Sequence, residues 1–124
     1  MKKLLLALVI PLFLAGCKPG EEKAVSLAKS EVAANLKDPA SAQFRNVKVS
    51  KMTDAEGGRV IAVVCGEING KNGFGAYAGF HPFFVELNMK SKGVFSKGVD
   101  YTLGEHFLST SDTPTPPAYI ERCQ

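Results

Sequence analysis

The chain has 124 residues, 45% of them hydrophobic and 22% charged, which suits one small domain with a modest core and excludes a two-domain protein. Its 15 basic and 12 acidic residues give a formal charge of +3 but are interspersed. With no cluster of Lys or Arg suited to tracking phosphates, nucleic acid is not an expected partner.

The chain opens MKKLLLALVIPLFLAGC. Lys2 and Lys3 form a positive start, and Leu4 to Leu14 is an apolar run broken by Pro11. That run is too short to cross a bilayer as a mature helix and has the size of a signal-peptide hydrophobic region. No later run is long and apolar enough for a transmembrane helix.

The residues that follow, Leu14-Ala15-Gly16-Cys17, resemble the lipobox of bacterial lipoproteins. The resemblance implies that residues 1–16 are a signal peptide and that the Cys17 sulfur takes a diacylglyceryl group. The new amino terminus is then acylated, with palmitate or a similar chain. Small Ala15 and Gly16 give the processing enzymes access to the backbone, and Cys17 supplies a soft nucleophile. Each buried methylene of such chains contributes about 0.8 kcal/mol, and stable anchoring needs more than one chain, which a multiply acylated cysteine provides. Residues 17–20 read as the lipidated tether. Lys18, in place of the aspartate associated with inner-membrane retention, implies the outer membrane, with the protein facing the periplasm. Loss of Lys2 and Lys3 with the signal lowers the formal charge from +3 to +1.

With Cys17 committed to lipid, Cys65 and Cys123 remain as an even pair, and an oxidising compartment favours a disulfide between them. Cross-linking positions this far apart in the chain contributes up to about 4 kcal/mol by loop-closure entropy, a large share of a small domain's stability.

In chain order, Glu21 to Lys37 reads EEKAVSLAKSEVAANLK, with Val25, Ala28, Val32 and Leu36 recurring at helical spacing. Glu21 and Glu22 near the start and Lys37 near the end suit the helix dipole, and Asp38-Pro39 stops the helix. Gln43 to Lys51 alternates as a strand whose phase slips between Phe44 and Val47, predicting a bulge near Arg45-Asn46. Asp54 to Gly58 is a turn. Arg59 to Ile68, RVIAVVCGEI, is the strongest strand and reads as a central one covered on both faces.

Asn69 to Gly73 is turn chemistry, and Tyr77 to Asn88 predicts another strand with Phe83, Val85 and Leu87 on one face. Lys90 to Gly93 turns the chain again before a weaker strand over Val94 to Tyr101. Ser109 to Pro117, STSDTPTPP, reads as extended and close to polyproline II, with pairing at Cys123 drawing Tyr119 and Ile120 back against the central strand. The expected fold class is α+β: an N-terminal amphipathic helix packed on an antiparallel β-sheet, stapled by one disulfide, with residues 21–124 forming a single domain.

Two segments carry a second resemblance. LKDPASAQFRNV, Leu36 to Val47, and CGEINGKNGFGAYAGF, Cys65 to Phe80, resemble paired signatures of a family of small, uncharacterised bacterial and prophage-associated envelope proteins. The likeness covers the body from the helix end to the second strand and implies no activity.

The second segment also holds the candidate site residues. Cys65 with His81 as base would be a nucleophilic pair, oriented by Glu67 or Asn69, and defines a thiol-enzyme alternative. Against it stand the apolar strand around Cys65, which raises a thiol pKa, and the available disulfide partner. His81 and His106 lack ligands at metal spacing, and Lys71 is followed by Asn72 where a phosphate loop needs Ser or Thr, so neither a metal nor a cofactor is expected. What remains is a binding surface of Glu67, Asn69, Lys71, Asn72, Phe74 and Tyr77 on a loop held by a stapled sheet. Glu67 in an apolar strand is also explained structurally by pairing with Lys71 or Arg45. The reading is a non-enzymatic, membrane-anchored binding module whose partner is an envelope protein or glycan, with inhibition of an envelope hydrolase such as lysozyme as one form and receptor blocking as another.

Overall fold

The computed structural model describes residues 18–93, 98–110 and 114–124. The expected signal peptide and Cys17 lie outside them, as do residues 94–97 of the weaker strand and 111–113 of the Pro-rich segment. The described residues form helix α1 (Glu21–Ala34), strands β1 (Gln43–Asp54), β2 (Val60–Asn69), β3 (His81–Ser91) and β4 (Val99–Leu108), and helix α2 (Pro117–Cys123). The strands make one antiparallel sheet in the order β1-β2-β3-β4.

Helix α1 lies on one face of this sheet. Ala24, Ala28 and Val32, spaced four apart, are its buried residues, and they meet Val60, Ala62, Val64, Ile68, Phe83, Val85, Leu87 and Met89 in the main core. Val25 and Leu36, expected on the buried stripe, are only partly buried at its margin: the stripe runs through Ala24, Ala28 and Val32, and Leu36 lies beyond the last residue of the helix. The helix ends at Ala34, sooner than Lys37. The amides of Asn35 and Leu36 bond three residues back, to Val32 and Ala33, so the last turn tightens and the chain leaves the helix before Asp38-Pro39.

Strand β2 is central and buried on both faces, as its apolar run predicts. Strand β1 carries the expected bulge: pairing with β2 shifts between Arg45 and Lys48, where Asn46 has a φ of 54°, and shifts again between Val49 and Lys51. These two slips keep Phe44, Val47, Val49 and Met52 packed on the helix-side core along a strand whose strict alternation would turn half of them to solvent.

Strand β3 begins at His81, four residues after the expected Tyr77, because the preceding residues close a loop of their own. Phe83, Val85 and Leu87 share the core face as read from the sequence. Strand β4 extends to Leu108, well past the expected end at Tyr101. Phe107 and Leu108 pair with Phe84 and Phe83, and their partial burial against the two faces of the sheet draws an otherwise polar segment into it.

The second face of the sheet is covered by α2, a helix that the sequence reading does not assign: its extended segment ends at Pro117, and beyond that it expects only the return of Tyr119 and Ile120 toward the central strand. Pro117 stands in its first turn, where a missing N–H costs nothing. The Cys65–Cys123 disulfide fixes its end to β2 with Cα atoms 5.9 Å apart. Beside the bond, Tyr119 packs against Phe84 at 6.4 Å between ring centres. Ile120, expected against the central strand, faces solvent instead, because so short a helix offers one side to the sheet, here the side carrying Tyr119 and Cys123.

Candidate functional site: the Ser41 junction and the 70–80 loop

The segments Leu36–Val47 and Cys65–Phe80 meet at one end of the sheet. Leu36 packs where a Gly70 side chain would stand, its Cδ1 2.7 Å from an ideal Cβ, so any larger residue there would have to push the Leu36 side chain aside. The short turn Pro39–Ser41 then places Ser41 against the start of the loop. Its hydroxyl donates to the Asp38 carbonyl at 2.7 Å and accepts the Lys71 amide at 2.8 Å. Its carbonyl accepts the Tyr77 hydroxyl at 3.0 Å.

A second clamp lies on the other face of the sheet. Arg45 donates to one oxygen of Glu67 through both Nε, at 3.2 Å, and a terminal nitrogen, at 2.8 Å. Asn46 donates to the other oxygen at 3.1 Å, from the bulge that its positive φ creates. The Arg45 guanidinium also lies over the Phe80 ring, 4.1 Å from its centre. Hydrogen bonds from Arg45 first, then Asn46, hold the Glu67 carboxyl below its ordinary pKa of 4.5.

Within the loop the polar side chains build the turn. The Asn69 side-chain carbonyl, buried, accepts the Gly79 amide at 3.0 Å. That of Asn72 accepts the amides of Phe74 and Ala76 at 2.9 and 3.2 Å. Lys71 and Tyr77 pair as a small bridge, with the Lys71 ammonium 5.7 Å from the Tyr77 ring centre. Gly75, at φ 79°, supplies the left-handed residue that turns the chain back.

Of the six expected surface residues, Glu67, Asn69 and Asn72 are thus occupied in holding the structure. Lys71 and Tyr77 are exposed beside the body, and Phe74, 98% exposed, stands at the apex. Arg45 is one of the two partners expected for Glu67, whereas the supporting parts of Ser41, Asn46 and Leu36 escape residue-type reasoning, although all four residues lie in the quoted LKDPASAQFRNV segment.

The structure separates the proposed thiol pair. Cys65 is in a disulfide and belongs to the α2-side cluster. His81 pairs with Ile68, a residue of the helix-side core, so its side chain leaves the opposite face of the sheet. Among the described residues no group of His, Cys, Asp and Glu is arranged to hold a metal.

An open groove of about 770 Å³ runs between α2 and the β1–β2 strands. It is lined by Lys48, Ser50, Lys51, Val63 and Arg122, the last paired with Glu86 and, at 2.7 Å, with Glu105. No family model matches the chain, and comparison with curated proteins and with solved structures returns no match.

Proposed function

We propose that the protein is a lipoprotein of the bacterial envelope, anchored through acylated Cys17 on the periplasmic side of the outer membrane and acting as a non-enzymatic binding module. One observation carries the binding part: the 70–80 loop displays Phe74 almost fully to solvent while its own amides and the Ser41 junction hold the backbone in place. A single exposed aromatic residue is ordinary on a protein surface. An aromatic residue on a loop whose ordering cost has been met before any partner arrives is the arrangement that favours affinity. Inhibition of an envelope hydrolase is one form such binding takes.

The anchor is tested by the intact mass of protein extracted from membranes, which should carry the acyl chains on a chain beginning at Cys17. A Cys17→Ser chain should leave the membrane fraction, and its retention there would refute the anchor. Binding is tested by placing a photoreactive amino acid at each exposed position in turn in cells expressing the full chain. At least one position should yield an adduct with an envelope component, and none at any position would refute a binding role.

A further inference from the structure

The two poles of the sheet are distinct. At one, Lys18, the residue after Cys17, pairs with Asp54 at 3.4 Å, and Pro19 beside it is buried. At the other, Gln43 pairs with Asn69, and the 70–80 loop projects beyond them. Strand β1 connects the poles, and its 12 residues span about 35–40 Å. A chain tethered through Cys17 is therefore held to its bilayer by the pole opposite Phe74.

The charges and amides of the loop narrow the choice of occupant. Lys71 is the single charged residue between Gly70 and Phe80, and the Lys37 ammonium lies 3.7 Å from an ideal Gly73 Cβ. Among the described residues neither lysine has a carboxylate partner. The side-chain oxygens of Asn69 and Asn72 already accept amides within the loop, and Asn69 is buried, so little of either side chain is left to read sugar hydroxyls. What the pole offers is an apolar tip with two flanking ammonium groups, which fits an apolar socket edged with carboxylates better than a glycan.

We infer that the 70–80 loop is a plug for a second envelope protein, Phe74 filling an apolar socket and Lys37 and Lys71 meeting carboxylates at its rim. This inference rests on the binding-module reading and adds the pole, the mode and the class of partner.

The test uses the full chain in the envelope, with photoreactive benzoylphenylalanine at position 74 or, at the opposite pole, at position 56. Position 74 should give a protein adduct of one discrete mass, and position 56 should not. Lys37→Glu with Lys71→Glu should lower its yield about tenfold or more, since reversed steering charges meet the same rim. Equal yields at both positions, a lipid or glycan adduct at 74, or a yield indifferent to charge reversal would overturn the inference. Adducts confined to the groove beside α2 would overturn it and leave the binding module standing, whereas an absence of adducts at every exposed position would remove both. Because the chain contains no tryptophan, Phe74→Trp gives an independent readout. With the chain anchored in vesicles of phosphatidylethanolamine and phosphatidylglycerol, its emission should stay that of a water-exposed indole. A blue shift would put the tip in the bilayer and overturn the inference.

Discussion

Glu67 and Phe74 lie in the same segment, but only Glu67 matters to stability. Glu67 is a carboxylate at the end of an apolar strand, and its charge is stabilised by Arg45 and Asn46. Its folded pKa lies below the ordinary 4.5, so the contribution is fully present above that pH and is lost as pH falls through the folded value. Glu67→Gln should cost about 1 kcal/mol at neutral pH, the scale of a solvent-screened pair with good geometry. Urea melts at neutral and strongly acidic pH should show the variant and native chains converging on the acid side. An unchanged gap at low pH would mean that packing rather than charge is responsible. Phe74, 98% exposed, should tolerate Phe74→Ala within about 0.5 kcal/mol, so any loss of adduct formation in that variant reports contact and not unfolding. The pairing of Glu67 with Arg45 was legible as one of two options, because a charge in an apolar strand needs a partner. The part played by Asn46 was not, since it depends on a left-handed backbone that residue type alone does not announce.

At the scale of elements, the loop keeps its form through its attachment to the turn after α1. Ser41→Ala removes the acceptor of the Lys71 amide while leaving the backbone carbonyl that Tyr77 uses. It should destabilise the domain by about 1–2 kcal/mol, the cost of a partly buried donor losing its partner. Amide exchange at Lys71 and Asn72 should accelerate while that of β2 stays protected. Uniform acceleration across the sheet would show that Ser41 supports the whole fold and not the loop alone. Gly70→Ala should act through the same junction, since its Cβ would meet Leu36 at 2.7 Å, and overpacking of this kind costs about 1–3 kcal/mol. Elements with a strong local period were readable: α1, the central β2, and β1 with the bulge that its slipped phase announced. The length of β4 and the existence of α2 were not. Both depend on burial against Phe83 and Phe84 of a strand distant in sequence, and Pro117 reads equally as the end of a Pro-rich stretch or the first residue of a helix.

The whole molecule is a sheet with unequal covers. The α1 side holds most of the buried apolar residues, from Ala24 to Met89, whereas the α2 side is a small cluster around Val63, Cys65, Phe84 and Cys123. A helix of seven residues is too short to persist alone, so α2 depends on the disulfide, on Arg122 between Glu86 and Glu105, and on Tyr119 against Phe84. Joining positions 58 apart contributes up to about 4 kcal/mol in the chain-entropy account. Cys65→Ala with Cys123→Ala should therefore lower stability by about 2–4 kcal/mol in urea melts. Protease should then release α2, and Phe84 and Phe107 should begin to bind a hydrophobic dye. The sheet and α1 should survive, because none of their shared core passes through the second face. The loop lies at the Gln43–Asn69 pole and takes its supports from Ser41 and from Leu36, which packs on the α1-side core while the disulfide lies in the α2-side cluster. Crosslinking through position 74 should accordingly persist in the double variant once the surviving fold is confirmed by sheet protection in amide exchange. Loss of both sheet protection and crosslinking would show that the staple holds the entire domain together. Loss of crosslinking with the sheet intact would instead move the binding surface to the groove beside α2.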